Sequence, residues 1–186
     1  NFYAWIRGYH FPPNYIRRWK LDILEGLYEK ETTDLFKKII KPGMRVLDVG
    51  AHVGFFTRLF SELVGPNGMV YAIEADPENF DLLGKNTRRL NNAKIYHMAA
   101  SDRVGTIDFY HCEEKSGCHS TLPNVPLNFK TKKISVPGSD LDSLLGRENA
   151  GKIDVIKMDI EGGEVAALRG LKETIARNQN IAIVTE

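Results

Sequence analysis

The chain lacks a long apolar run, carries almost no net charge and has few cysteines, and each shortage removes a class of protein. No stretch approaches the roughly 20 apolar residues that a spanning helix requires, and no tripartite leader opens the chain, so a cytoplasmic protein without a membrane partner is expected. A formal net charge of +1 gives no global attraction to nucleic acid, which is therefore not expected as a partner. The cluster Arg17, Arg18 and Lys20 reads as a solvated helix face. The 2 cysteines, Cys112 and Cys118, share one polar stretch and could bridge locally, but they are too few for a disulfide scaffold, and reduced thiols are expected.

What remains is 186 residues, 42% hydrophobic and 26% charged, the composition of a globular domain with one core. Residues 1–40 read as an arm and helices packed on that core, and residues 41–186 as a cofactor-binding domain. The arm is rich in aromatics (Phe2, Tyr3, Trp5, Tyr9, Phe11) and ends in Pro12 and Pro13. Ile16, Trp19, Ile23, Leu24 and Leu27, then Leu35, Phe36 and Ile39, fall at helical spacing, with Thr33 or Asp34 able to cap the second helix. The first residue is Asn1 rather than methionine, and the apolar run at 181–186 looks like a strand cut at its end, so a fragment is expected.

The organising stretch is residues 45–57, an apolar run with Asp48 followed by Gly50, Gly54 and the start of an amphipathic helix. Glycines there would let backbone N–H groups face a ligand. Apolar runs at 69–73, 94–100, 152–158 and 181–185 alternate with helical patterns, one of them opening at Pro77. This rhythm predicts an α/β fold, a doubly wound and mainly parallel Rossmann-like sheet with helices before it. Alternating residues at 105–110 and 133–136 predict a β-hairpin excursion, joined by a polar loop carrying Cys112, Cys118, His119, Ser120 and Asn124. Ser139 or Asp140 is positioned to cap a short helix through Leu144 and Leu145.

Ligands of open parallel sheets sit beyond the carboxyl ends of the strands. This chain places acids there repeatedly: Asp48 before Gly50, Glu74 with Asp76, Ser101 with Asp102, and Asp159 with Glu161 and Glu164. Glu74 suits the ribose of either NAD or S-adenosylmethionine. The dinucleotide pattern lacks its middle glycine, because Ala51, His52 and Val53 follow Gly50. An acidic rim also repels a pyrophosphate and attracts a sulfonium, so S-adenosylmethionine is the expected cofactor.

The run 46–54, the acid of residues 73–77, the step Ala100, Ser101, Asp102 and the segment 157–164 (Lys-Met-Asp-Ile-Glu-Gly-Gly-Glu) together resemble the FkbM family of S-adenosylmethionine-dependent methyltransferases. The likeness spans roughly residues 28–186 and departs at His52, where asparagine is usual. It implies methyl transfer, commonly to oxygen on sugars or natural products. By position it implies that Gly50, Ala51, His52 and Gly54 line the methionine moiety, that Glu74, beside Asp48 and Ala75 in the motifs, takes the ribose hydroxyls, and that Asp102, after Ser101, faces the adenine amino group.

A hydroxyl acceptor calls for a base. Asp159, Glu161 and His119 are the candidates carried forward; Glu164 reads as a first-turn helix acid, His97 as a packed residue and His52 as either base or cofactor contact. Asp159 and Glu186 could begin a metal site, but no third ligand is apparent, so none is expected. The reading is an O-methyltransferase for a small-molecule or glycan hydroxyl. An NAD-dependent oxidoreductase and a non-catalytic cofactor-binding module are the rivals.

Overall fold

The structure is a computed structural model that describes residues 8–13, 15–112, 114, 117–123 and 130–185. Phe2, Tyr3, Trp5, Asn124 and Glu186 lie outside the described residues. Two helices, α1 (Arg17–Glu25) and α2 (Lys30–Ile39), precede β1 (Arg45–Val49), α3 (Phe55–Val64), β2 (Met69–Glu74), α4 (Pro77–Thr87) and β3 (Ala93–His97). Then come β4 (Ala99–Ser101), β5 (Gly105–Cys112), β6 (Thr131–Asp140), α5 (Leu141–Arg147), β7 (Val155–Met158), α6 (Glu164–Arg169), α7 (Lys172–Arg177) and β8 (Ala182–Thr185).

The main sheet has the order β3-β2-β1-β7-β8, and every pairing in it is parallel. Its strands are apolar on both faces because helices cover both, as a parallel sheet requires. Val46, Val70 and Val155 share one register and pack with Phe36, Phe56 and Phe60. Leu47, Tyr71 and Ile156 share the next and face Leu141, Leu144 and Leu171 on the other side. The crossovers from β1 run through β2 to β3 on one side, while β7 and β8 lie on the other. The order therefore reverses between β1 and β7, and the site is expected at that switch point.

Three expectations need correction. The single strand foreseen at 94–100 divides at Met98: β3 stays in the parallel sheet, whereas β4 joins a second sheet, order β4-β6-β5, in which the excursion's β5 and β6 pair antiparallel. The helix foreseen through Val165, Leu168 and Leu171 breaks at Gly170, whose α-carbon lies so close to β4 that an added Cβ would stand 2.0 Å from the Ser101 carbonyl oxygen. Neither Thr33 nor Asp34 caps α2: the helix starts three residues earlier behind Glu29, Thr33 donates to the Tyr28 carbonyl, and Asp34 pairs with Lys30. Other local expectations agree with the structure. α4 opens at Pro77, behind an Asp76 cap unforeseen from sequence, Asp140 caps α5, and both cysteines are free thiols.

The arm's partner, which the sequence leaves open, is α4 together with α3. Asn86 accepts from the His10 N–H at 2.6 Å and donates to the carbonyls of His10 and Val53 at 2.9 and 2.7 Å, while the Arg58 guanidinium lies 4.0 Å from the Tyr9 ring centre. Phe11, Tyr15 and Trp19 continue this packing onto Val53 in the glycine loop. Asn86→Ala strands these buried backbone groups and is expected to lower unfolding free energy by about 1–3 kcal/mol in a urea titration; an unchanged midpoint contradicts the anchor.

Candidate functional site

A cavity of about 800 Å³ opens above the carboxyl ends of the parallel strands. Its floor is made by Val49 and Gly50 at the end of β1, Glu74 and Ala75 at the end of β2, and Lys157 to Glu161 at the end of β7. Met98, Ala99 and Ala100 close one side, Phe109, Cys118 and His119 another, and Trp19 of α1 with Tyr28 and Glu29 from the turn between α1 and α2 form a further wall. Glu29, His52 and Glu161 hold positive φ angles of 40°, 53° and 52°, a costly conformation for residues with a Cβ, and all three line this one cavity.

Glu74 is the best-held polar group in it. The carboxylate is 6% exposed; Oε2 accepts the His52 N–H at 2.7 Å and Oε1 accepts the Asp76 N–H at 2.9 Å. Burial outweighs those two bonds and pushes its pKa up to about 7. A carboxylate with lone pairs to spare at the end of the second strand can accept hydroxyls of a ribose.

The glycine loop differs from what its sequence suggested. Gly50 and Ala51 both donate to the Ile73 carbonyl at 2.9 Å, Gly54 donates to Ala51 at 2.8 Å, and the His52 N–H is given to Glu74. These N–H groups are spent within the protein rather than offered to a ligand. The glycines serve packing instead: a Cβ on Gly50 would stand 1.9 Å from the Asp159 carbonyl oxygen, and one on Gly54 would stand 2.8 Å from Leu83. Their φ angles of 79° and 87° add a second reason for glycine. With those donors committed, the loop offers no nest for a pyrophosphate, which agrees with the cationic donor.

Asp48 is fully buried and off the cavity wall. Its Oδ2 accepts the Thr57 hydroxyl at 2.6 Å, and Oδ1 lies 3.7 Å from the Lys157 ammonium. Burial pushes the Asp48 pKa up, against the pull of Lys157. Burial likewise works against the charge on Lys157, but Asp48, Asp159 and Glu29 outweigh it, so the amine stays charged. Lys157 is the main residue that reasoning from sequence missed. Its signal was visible, a lone lysine inside the apolar run of β7.

The other expected site residues separate. His52 stacks its ring on Tyr15 at 5.4 Å between centroids, and Ala75 lines the cavity beside Glu74. Ser101, buried, and Asp102, exposed, are not on the cavity wall, because the chain leaves the parallel sheet at Met98 and carries them past it; Met98 to Ala100 face the cavity instead. Asp159 and Glu161 line the cavity, and Ser120 donates to the Glu161 carbonyl at 2.6 Å. Glu164 binds the N–H groups of Ile160 and Gly162 at 3.1 and 3.2 Å, so it closes its own turn.

His119 lines the cavity but is poorly placed as a base. Its Nδ1 accepts the Cys112 N–H at 2.9 Å, so the neutral ring carries its proton on Nε2, and burial pushes its pKa down to about 4. With His111 and Asp76 it forms a group whose potential ligand atoms lie within 4.8 Å, unforeseen from sequence. That tautomer leaves Nε2 without a lone pair for a cation. Nδ1 of a metal-bound histidine would need an acceptor, and here it meets a donor. The geometry suits a hydrogen-bonded group on Asp76 better than a metal centre.

The fold and this cavity define an adenosyl-binding α/β protein of the Rossmann-like class. The methyltransferase FkbM domain matches residues 48–186, and the chain belongs to that family of S-adenosylmethionine-dependent methyltransferases. The reading as an NAD-dependent oxidoreductase falls with that membership. The chain is 29% identical over 153 residues to 2-O-methyltransferase NoeI of Sinorhizobium fredii, an overlap of 76% of this chain and 63% of that protein. A shorter stretch of 66 residues is 40% identical to a protein-L-isoaspartate O-methyltransferase of Methanothrix thermoacetophila, covering 36% of this chain and 31% of that one. Among solved structures, methyltransferase FkbM from Methylobacillus flagellatus superposes with a TM-score of 0.54 at 15% identity, over 97% of this chain and 46% of that one, a likeness of fold. The chain thus spans less than two thirds of the length of NoeI. Among the described residues no helix is long and apolar enough to cross a membrane.

The Glu74 value gives a pH dependence whose sign is fixed. Because its folded pKa of about 7 exceeds the ordinary 4.5, Glu74 contributes stability that is full below pH 4.5 and is lost as pH rises through 7. Of the pH dependence of cofactor-free unfolding between pH 5 and 8, about 3 kcal/mol is expected to vanish in Glu74→Gln; identical slopes in variant and wild type contradict it.

Proposed function

We propose that the cavity binds S-adenosylmethionine and transfers its methyl group to a hydroxyl of an uncharged acceptor, such as a sugar or another polyhydroxylated small molecule. The observation that carries this reading is the charge of the lining. Among the described residues, Asp22, Glu29, Glu31, Glu74, Asp159 and Glu161 face the cavity against two ammonium groups, Lys30 and Lys157. A cationic donor and a neutral acceptor enter such a wall freely, whereas a phosphate backbone or a free carboxylate is repelled. The acid excess supports a 2-O-methyltransferase relative such as NoeI as the better guide to chemistry than relatives named for rRNA or isoaspartate.

In this reading Glu74 accepts the ribose hydroxyls, Gly50 and His52 border the amino-acid end, and Ala75 with Met98 to Ala100 bound the adenine. The bound donor supplies an electrophilic methyl carbon on a positive sulfur. The protein's work is then to hold the acceptor oxygen in line behind that carbon, worth up to roughly 7–11 kcal/mol when geometry is ideal. Asp159 is the base: it lies at the cavity floor with its side chain 31% exposed, near enough to the solvent side to meet an acceptor hydroxyl and take its proton. Glu161 stands next to it as a hydroxyl-binding partner.

Two outcomes follow. Glu74→Ala removes a charged hydrogen-bond acceptor and should weaken S-adenosylhomocysteine binding by about 1.5–3 kcal/mol in calorimetry; unchanged affinity rejects its role. Across a panel of neutral glycosides, phenols, oligoribonucleotides and acidic peptides, donor consumption is expected with neutral hydroxyl acceptors, and Asp159→Asn should slow it by about 10²–10⁴. Turnover confined to the anionic acceptors defeats the charge argument.

A further inference from the structure

Lys157 is unusual in being a charged side chain inside a strand that is otherwise sealed. It is 6% exposed and stands between Ile156 and Met158, both fully buried. Its ammonium donates to the Gly50 carbonyl at 3.0 Å and lies 3.5 Å from Oδ2 of Asp159 and 3.7 Å from Oδ1 of Asp48, with the Phe56 ring centre 5.4 Å away. The ammonium therefore makes one hydrogen bond, to the loop carbonyl of Gly50, and two longer ion pairs, to Asp159 and Asp48. These three oxygens all belong to the protein, so Lys157 acts through the groups it holds.

Those groups belong to different parts of the cavity. Gly50 opens the loop after β1, Asp159 follows β7, and Asp48 lies inside β1 as the register partner of Lys157 on the neighbouring strand. Burying an ammonium costs several kcal/mol unless its partners are in place, so the arrangement is stable only while the loop carbonyl and the Asp159 carboxylate keep their positions. Oδ1 of Asp48, which has no hydrogen-bond partner, lies 3.7 Å from the ammonium beneath the floor.

We propose that Lys157 is a positioning residue that locks the donor loop to Asp159, setting the distance between the donor's amino-acid end and the acceptor side of the cavity. The proposal rests on the methyl-transfer reading of this cavity. A role confined to neutralising Asp48 predicts different couplings, because Asp159 would then be incidental.

The test is a double-mutant cycle read by calorimetric S-adenosylhomocysteine binding, with thermal melts to establish folding. Lys157→Met is expected to weaken binding about tenfold, and Asp159→Asn to weaken it as well, while the double variant loses no more than Lys157→Met alone. Losses that add, or a folded Lys157→Met with wild-type affinity, overturn the proposal. Should Lys157→Met fail to melt cooperatively, Asp159→Asn alone decides: weaker binding supports the lock, and wild-type affinity overturns it. A folded wild type that binds no S-adenosylhomocysteine overturns the methyl-transfer reading itself before any variant is measured.

Discussion

Three loops at the carboxyl ends of β1, β2 and β7 hold one another through their own backbones, and the site exists because they do. The Ile73 carbonyl receives the N–H groups of Gly50 and Ala51, the Glu74 carboxylate receives those of His52 and Asp76, and the Asp159 N–H donates to the Val49 carbonyl at 3.0 Å. Each contact spends a polar group that an isolated loop would leave to water. The result is a cavity with few free N–H donors in its glycine loop and a surplus of carboxylates on its walls. That polarity favours a positively charged donor and an acceptor without phosphate.

The N-terminal helices matter to the same balance. Trp19, Tyr28 and Glu29 form a wall of the cavity, and Tyr15 stacks on the His52 ring, so the segment preceding the family's conserved domain shapes the space where an acceptor would sit. Burial pushes the hydroxyl pKa values of Tyr15 and Tyr28 far up, keeping both neutral beside Glu29. Glu29 itself turns the chain between α1 and α2 in a left-handed conformation, which is how its side chain reaches the cavity from the end of a loop.

Much of this was legible in the amino-acid pattern, for physical reasons. Strands buried on both faces must be continuously apolar, so β1, β2 and β7 stand out as apolar runs, and Pro77 marks the start of α4. Glu74, Asp159 and Glu161 were placed by the rule that ligands lie beyond strand ends. The failures also have causes. Nothing local distinguishes the residues of β3 from those of β4, because the turn at Met98 is dictated by pairing with β6, a partner some forty residues away, and Ser101 and Asp102 lie off the cavity wall as a consequence. Gly50 and Gly54 were correctly read as required but for the wrong reason, since sequence cannot tell bare backbone that faces a ligand from bare backbone that faces another loop. Lys157 was given no role, because sequence alone does not show which acids a lysine inside a strand faces.

The central claim is that a buried carboxylate, Glu74, receives the ribose of an adenosyl donor. It is tested most directly by counting protons: S-adenosylhomocysteine binding is measured calorimetrically at pH 6 in two buffers of different ionisation enthalpy. With its pKa pushed up to about 7 by burial, Glu74 is mostly protonated there in the free protein, and hydroxyl donors stabilise its ionised form, so binding is predicted to release a fraction of a proton. Binding with no proton release, or with the same release in Glu74→Gln, contradicts the account.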